Sequence, residues 1–269
     1  MIVTQSAVNA AADRLDKAAL TAVACDPVAD LLGPDDIDAA YRVQARLTER
    51  RLAAGARIIG RKIGLTSPAV QKQIGVDRPD FGVLFDDMRY EDGVEIPIGR
   101  LLQPKAEAEV AFLLARDLTD AADPAAIRDA VALAFPALEI VDSRIADWRI
   151  GITDTVADNA SSGVFVLGAG GTPLSAFEPV DVTMTMRRGA DAVSQGAGHD
   201  CLGDPLNALA WLAATAIGLG TPLRAGDLVL SGALGPMVAV APGDVFEAFI
   251  APLGTVTARF SEKEKEAAL

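Results

Sequence analysis

The segment Lys105-Ala106-Glu107-Ala108-Glu109-Val110-Ala111-Phe112-Leu113-Leu114 places two acidic residues inside an otherwise apolar run. Its pattern predicts a β-strand, in which successive side chains point to opposite faces. Glu107 and Glu109 therefore share one face, which continues as Ala111 and Leu113. Two like charges on a face that becomes buried repel each other and lose hydration. A divalent cation with oxygen ligands would compensate for this; the alternative is an edge strand with two solvated glutamates.

The composition indicates a globular chain with a well-filled core. Of its 269 residues 51% are hydrophobic, and the mean hydropathy is +0.28. The net charge of −13 argues against nucleic acid or an anionic membrane surface as a partner. We expect no membrane span and no signal peptide, because no apolar run is long enough and the N-terminus lacks a basic region followed by an apolar core.

Cysteine and histidine are scarce in this chain. Cys25 and Cys201 lie far apart and have no metal-binding spacing, so we expect ordinary reduced residues in a cytoplasmic protein. The single histidine, His199, argues against chemistry that requires two histidines, and we expect it to lie in a loop.

Helical patterns fill the N-terminal part of the chain. Gln5 to Cys25 is rich in alanine, with apolar residues near helical spacing. A second helix is predicted from Pro34 to Ala54, because its first turn is acidic and its last turn is basic. We therefore predict a helical N-terminal subdomain at residues 1–57 and a second domain at residues 58–269.

The second part of the chain contains short strands and glycine-rich turns without regular alternation of helix and strand. Residues 124–134 are predicted to form a helix that Phe135-Pro136 stops. The next residues, Leu138 to Val141, are predicted to form a strand in which Glu139 stands among apolar neighbours. This order predicts an α+β fold, with a helical N-terminal subdomain and a C-terminal mixed β-sheet, rather than a doubly wound sheet.

Three acids on predicted strands could together hold a dication. No histidine or cysteine is offered with them, so Mg²⁺ or Mn²⁺ suits the set better than Zn²⁺. The spacing alone is weak evidence for a metal site, because two glutamates separated by one residue are common in proteins. The candidate site consists of Glu107, Glu109 and Glu139 as metal ligands, with Lys62, Asp80 and Ser162 around them.

Ordered blocks along the chain resemble a known family. They are Gly60 to Pro68, Pro79 to Gly82, Ala106 to Glu109, Leu138 to Arg144, Asp158 to Gly163, Gly203 to Leu212 and Leu230 to Pro236. In these blocks the chain resembles the 2-keto-4-pentenoate (2-hydroxypenta-2,4-dienoate) hydratases of the fumarylacetoacetate hydrolase superfamily. That family hydrates a 2-hydroxy-2,4-dienoate to a 4-hydroxy-2-oxo acid in the meta-cleavage breakdown of aromatic compounds.

The resemblance implies a metal-dependent hydro-lyase on a β-roll of the fumarylacetoacetate hydrolase type. It implies a metal triad of the three glutamates already singled out, and it places Lys62 and Asp80 in the site. We expect these two residues to move the protons, with the pKa of the lysine lowered. Ser162 is a further catalytic candidate. The substrate-binding candidates, through their backbone N–H groups, are Gly64, Leu65 and Thr66.

Three other activities of the same superfamily are alternatives. The closest is 4-oxalocrotonate (2-oxo-3-hexenedioate) decarboxylase, but Pro79 to Phe85 resembles the hydratase version. A diacid hydratase would need a cation for the distal carboxylate, for which Arg78 is a candidate. A C–C hydrolase would use a His/Glu pair, and His199 lies far from the matching blocks. We expect Arg144 and Trp148 to be structural.

A non-enzymatic alternative is that the protein is a metal-free partner of a decarboxylase. The presence of all three glutamates and of Lys62 argues against this alternative. The resemblance implies a homo-oligomer built from pentamers, and an association with a decarboxylase or aldolase of the pathway. The substrate is expected to be a small molecule. The sequence does not determine whether its tail is hydrogen, methyl or a larger group.

Overall fold

The computed structural model describes residues 3–120 and 123–262, so segment 263–269 of the second predicted domain lies outside the described part. The helices of the described residues are α1 (Gln5–Thr21), α2 (Ala29–Leu32), α3 (Ile37–Ala53), α4 (Pro68–Ile74), α5 (Pro124–Ala130), α6 (Ile152–Ala157) and α7 (Pro205–Gly218). The strands are β1 (Ile58–Gly64), β2 (Asp80–Phe85), β3 (Arg89–Glu91), β4 (Glu95–Ile96), β5 (Lys105–Leu114), β6 (Val131–Val141), β7 (Ser162–Leu167), β8 (Thr183–Arg188), β9 (Asp191–Ala197), β10 (Leu228–Ala233), β11 (Val238–Ala239), β12 (Val245–Ala251) and β13 (Gly254–Phe260).

The strands form two sheets that pack against each other. The larger, eight-stranded sheet has the order β2-β1-β10-β5-β6-β7-β3, with β11 paired to β5. The five-stranded sheet has the order β4-β13-β12-β8-β9. Most neighbours run antiparallel, whereas β1 with β10, β3 with β7 and β4 with β13 are parallel. The predicted α+β class with mixed strand directions is confirmed.

The core between the sheets uses only one face of the larger sheet. Val110 and Phe112 of β5 belong to this core together with Phe246 and Val256 of the smaller sheet. Because side chains alternate along a strand, Glu107 and the other odd-numbered residues of β5 face away from this core.

The N-terminal helices share a core with the second half of the chain. Leu15 of α1 and Val43 of α3 lie in one buried cluster with Val70 of α4, Val141 of β6 and Val156 of α6. This packing crosses the predicted boundary at residue 57, which itself stays a prediction. None of the helices among the described residues is long and apolar enough to cross a membrane.

Both long N-terminal helices are shorter than predicted. Helix α1 ends at Thr21 because Ala22 adopts the left-handed conformation, with φ of 52°. Cys25 instead forms a β-bridge with Ile145. Helix α3 begins at Ile37 rather than at Pro34, because the Asp36 carboxylate accepts a hydrogen bond from the N–H of Ala39 at 2.9 Å and caps it.

The predicted helix over residues 124–134 is wrong in its second half. Helix α5 stops at Ala130, and β6 starts at Val131 and continues through Pro136. Along this stretch β6 pairs with β5, so Leu133 lies opposite Leu113 and Phe135 opposite Ala111. The long antiparallel pairing outweighs the local helical pattern, because it satisfies the backbone of β6 and packs its side chains in the core.

Candidate active site

The three glutamates converge on one spot of the larger sheet. Glu107 lies directly opposite Glu139 in the pairing of β5 with β6, and Glu109 lies two residues further along the same face. Each is at most 4% exposed. One carboxylate oxygen from each residue lies within 4.8 Å of the others, a spacing that could hold a metal ion.

Burial makes this arrangement electrostatically costly for the protein alone. Loss of hydration, followed by repulsion from Glu139, raises the pKa of Glu107 to about 7. The same two causes raise the pKa of Glu109 well above its usual range, and burial raises that of Glu139. Among the described residues, Glu109 Oε1 and Glu139 Oε2 have no hydrogen-bond partner. Oxygens without partners in a buried acidic cluster fit a hard divalent cation.

Lys62 supplies positive charge next to the acids. It lies on β1, is 2% exposed, and its Nζ is 3.2 Å from Glu139 Oε1. Burial by itself would lower the pKa of the lysine, as expected from the sequence. However, attraction first to Glu139 and then to Asp80 outweighs burial, so the pKa of Lys62 is raised rather than lowered. The neighbouring carboxylates thus favour the charged form of Lys62.

Asp80 begins β2 beside Lys62. Its Oδ2 accepts a hydrogen bond from the Thr155 hydroxyl at 2.9 Å, and its buried Oδ1 has no partner among the described residues. Burial raises the pKa of Asp80 against the attraction of Lys62. A side chain at Gly64 would place Cβ 2.2 Å from Asp80 Oδ1 and 3.3 Å from Lys62 Nζ. Glycine at this position therefore lets the two charged groups approach.

A cavity opens onto these groups. Lys62, Gly64, Asp80, Glu107, Thr155 and Ser161 form its polar side. Its apolar side includes Leu65, Val70, Ile74, Trp148, Ile150 and Met237. The lining thus combines charged groups with hydrophobic side chains, as the binding of a ligand with an anionic head and an uncharged tail requires.

The structure brings Ser161, and not Ser162, into this cavity. The Ser162 hydroxyl donates to the Asn159 carbonyl at 2.7 Å and lies on the other side of the turn, in a separate pocket with Arg144. Ser161 is 3% exposed, and its hydroxyl has no partner among the described residues. The sequence did not point to Ser161, because Asn159, Ala160 and Ser161 form a turn with φ of 56°, 52° and 50°. This turn places Ser161 rather than Ser162 at the cavity.

The other sequence-predicted residues are distributed around the site. Leu65 lines the cavity with φ of 59°, whereas Thr66 packs over Gly232 behind it. His199 is exposed on a short helical turn. The guanidinium of Arg144 binds Asp158, in keeping with the structural role expected for it.

Trp148 has a second role that the sequence analysis missed. Its indole Nε1 donates to the Gln103 carbonyl at 3.0 Å, but its ring also forms part of the cavity wall. Its φ of 53° and the φ of 59° at Asp147 place both residues in the left-handed region. The sequence around Trp148 has no helical or strand periodicity from which this orientation could be predicted.

The chain matches a family model and several characterised relatives. The model described as fumarylacetoacetate (FAA) hydrolase C-terminal matches residues 70–261. A TodF product hydratase from Pseudomonas putida F1 is 54% identical over 257 residues, covering 95% of this chain and 96% of the relative. A 2-keto-4-pentenoate hydratase from Paraburkholderia xenovorans LB400 is 54% identical over 241 residues, covering 88% and 89%.

A solved structure has nearly the same fold over 96% of this chain. It is a 4-oxalocrotonate decarboxylase from Pseudomonas putida G7, complexed with magnesium and adipate. The TM-score is 0.91 at 32% identity, and the match covers 96% of this chain and 99% of the decarboxylase. Sequence identity is thus higher to the hydratases than to this decarboxylase. The chain belongs to the 2-keto-4-pentenoate hydratase family within the fumarylacetoacetate hydrolase superfamily.

Proposed function

We propose that the protein is a hydro-lyase that adds water to 2-hydroxypenta-2,4-dienoate, or a substituted analogue, to form 4-hydroxy-2-oxopentanoate. The observation that carries this proposal is the cluster of three buried glutamates paired with Lys62, beside a cavity lined by Lys62, Asp80 and Glu107 together with apolar side chains. The identity of 54% to hydratases supports the same reaction.

Glu107, Glu109 and Glu139 are proposed to hold Mg²⁺ or Mn²⁺, for which an all-carboxylate set is suited. Bound there, the cation supplies Lewis acidity that stabilises negative charge on an oxygen of the substrate. The Glu139 carboxylate also holds Lys62 in place, at 3.2 Å. The charged groups of the chain are therefore positioned before the substrate arrives.

Lys62 and Asp80 are the proposed proton carriers. Hydration moves protons to and from carbon and oxygen, so the site needs one group that gives a proton and one that accepts it. The Nζ of Lys62, 3.2 Å from Glu139 Oε1, is one of the two proposed groups. Asp80 Oδ1 has no hydrogen-bond partner among the described residues, so this oxygen is open to the substrate or the water.

Ser161 replaces Ser162 in the proposed set of catalytic residues. Ser161 lines the same cavity as Lys62 and Asp80, and its buried hydroxyl is without a protein partner in the described part of the chain. A hydroxyl can both donate and accept a hydrogen bond. It is therefore suited to holding the attacking water or an oxygen of the substrate. Gly64 and Leu65 line the cavity near it and remain proposed substrate-binding residues.

The lining of the cavity favours a substrate with an uncharged tail. Lys62 is the only cationic side chain among the described lining residues, and it is already paired with Glu139. Arg78, the candidate partner for a distal carboxylate, is exposed and hydrogen-bonded to Asp77 instead. A diacid would therefore bury a second carboxylate against apolar side chains, which is costly.

The decarboxylase is the second candidate function, because its solved structure matches with a TM-score of 0.91. The two activities are separated by supplying Mn²⁺-loaded protein with either 2-hydroxypenta-2,4-dienoate or 2-oxo-3-hexenedioate. We expect loss of the dienoate ultraviolet absorbance and formation of 4-hydroxy-2-oxopentanoate, without CO₂ release from the diacid. Release of CO₂ without hydration would contradict the hydratase activity and support decarboxylation instead.

The assembly and location of the protein are further parts of this proposal. A homo-oligomer built from pentamers is proposed from the family resemblance, as is contact with a decarboxylase or aldolase of the pathway. A cytoplasmic location is proposed on the basis of the unpaired cysteines. Light scattering of the purified protein tests the assembly, and a monomeric mass would contradict it.

A further inference from the structure

One of the three acids is held from behind by the backbone of a neighbouring strand. The N–H of Gly232 on β10 donates to Glu109 Oε2 at 2.7 Å. Glu109 is fully buried, so this bond is shielded from water. The bond occupies one oxygen of the carboxylate and leaves Oε1 without a protein partner in the described structure.

This N–H reaches Glu109 because β10 contains a bulge. Leu230 pairs with Ala111 and Ala233 pairs with Glu109, so three steps along β10 correspond to two along β5. An extra residue of this kind interrupts the ladder and turns a backbone group out of its usual direction. The Sγ of Cys201 donates to the Ser231 carbonyl at 3.1 Å and holds the bulge from the opposite side.

The bulge requires glycine at residue 232 for two reasons. Its φ is +103°, a conformation that residues with a side chain rarely adopt. In addition, a Cβ there would lie 2.0 Å from Thr66 Oγ1 and 2.5 Å from Thr66 Cγ2. Threonine is branched at Cβ and cannot swing away easily. A larger residue at 232 would therefore move the N–H away from Glu109.

We propose that Gly232 is a positioning residue of the cation site: its backbone N–H orients the Glu109 carboxylate toward the bound dication, and Thr66 holds the bulge in the conformation that allows this. The inference rests on the proposed metal site at the three glutamates. Groups that orient a metal ligand typically change metal affinity by about 10–100-fold when they are lost.

The test compares Gly232→Ala with Gly226→Ala. Gly226 precedes the same strand and has φ of +91°, but nothing lies within 4 Å of its Cβ position. Its N–H also makes a hydrogen bond, to the Leu114 carbonyl at 2.8 Å. The control thus imposes a similar backbone strain far from Glu109. Mn²⁺ binding to the metal-stripped full-length proteins is measured by calorimetry, which does not depend on catalytic activity.

We expect Gly232→Ala to weaken Mn²⁺ binding by roughly 10–100-fold, and Gly226→Ala to bind as the wild type does. Equal affinities of the two variants would overturn the inference. If Gly232→Ala does not fold, Thr66→Ala/Gly232→Ala replaces it, because the two nearest crowding atoms are then gone. In that variant wild-type affinity would likewise overturn the inference, and weakened affinity would support it. Absence of Mn²⁺ binding in the wild type would contradict the proposed metal site itself.

Discussion

At the scale of single residues, the site consists of buried polar atoms that the protein leaves without partners. Glu109 Oε1, Asp80 Oδ1 and the Ser161 hydroxyl are all buried and unpaired among the described residues. Such atoms lower the stability of a folded protein unless a ligand satisfies them. Asp80 and Ser161 line the cavity, and Glu109 belongs to the acidic cluster beside it, which is the reason for placing the chemistry there.

The two adjacent serines give the sharpest residue-scale prediction. Ser161→Ala should reduce hydration activity by at least about 10-fold, because a hydrogen bond to a charged group is worth about 1.5–3 kcal/mol. Ser162→Ala should cost only about 1 kcal/mol of stability through its lost bond to Asn159. Steady-state kinetics and thermal unfolding of both variants check this. Loss of activity in Ser162→Ala alone would restore the prediction made from the sequence.

Strand periodicity was enough to place the acids but not the serine. Glu107 and Glu109 share a buried face, as alternation along β5 predicts, and Glu139 lies on the same face of the sheet. Ser161 could not be predicted in this way, because its direction depends on a left-handed backbone that non-glycine residues seldom adopt.

At the scale of elements, the turn between α6 and β7 determines which groups enter the cavity. Residues 159–161 all have positive φ, which is unfavourable for residues other than glycine. The Asn159 side chain compensates by two bonds to β2: its Oδ1 accepts from the Val83 N–H at 2.7 Å, and its Nδ2 donates to the Val83 carbonyl at 2.9 Å. The turn is thus fixed to the strand that carries Asp80.

Removal of the two hydrogen bonds between the Asn159 side chain and Val83 should destabilise the protein. Asn159→Ala loses both bonds to Val83 and the tolerance of asparagine for left-handed backbone, so we expect a loss of about 2 kcal/mol. Asn207→Ala is the control, because its side chain makes one exposed bond, to the Leu202 carbonyl at 3.0 Å. Urea unfolding measures both. Similar urea-unfolding midpoints for the two variants would show that the bonds of Asn159 to Val83 do not hold the turn.

The elements themselves were predictable where the local pattern and the tertiary pairing agree. The strand at β5 and the cap of α4 by Ser67 follow the sequence pattern. The start of β6 does not, because residues 131–134 resemble the preceding helix and are drawn into a strand by pairing with β5. Long-range pairing of this kind leaves no local mark in the sequence.

At the scale of the whole molecule, the N-terminal helices pack against the part of the chain that carries the candidate site. Asp154 of α6 shows this connection, since its Oδ1 accepts from the N–H groups of Val28 and Ala29 at 2.7 and 3.0 Å. The cavity walls and the N-terminal helices also share a buried cluster. The stability of the site therefore depends on packing across the predicted boundary at residue 57.

Buried acids outside the site make global stability depend on pH. Burial raises the pKa of Asp158 from 3.8 to about 6, against the attraction of Arg144. Between these values the folded protein binds a proton that the unfolded chain lacks, so the contribution of this residue falls as pH rises. Relative to Asp158→Asn, which cannot titrate, the wild type should lose about 1 kcal/mol between pH 5 and pH 7. Denaturant unfolding at both pH values checks this, and a difference independent of pH would contradict it.

The three glutamates are proposed to form a metal site that hydration requires. The most direct test follows the dienoate absorbance with metal-stripped protein before and after addition of Mn²⁺, alongside Glu107→Gln, which keeps the shape of a ligand but removes its charge. The account predicts no hydration without metal, restored hydration in the wild type, and a loss of at least about 100-fold in the variant, in line with losses at metal and electrostatic sites. Full activity of the stripped protein, or wild-type activity of Glu107→Gln, would contradict it.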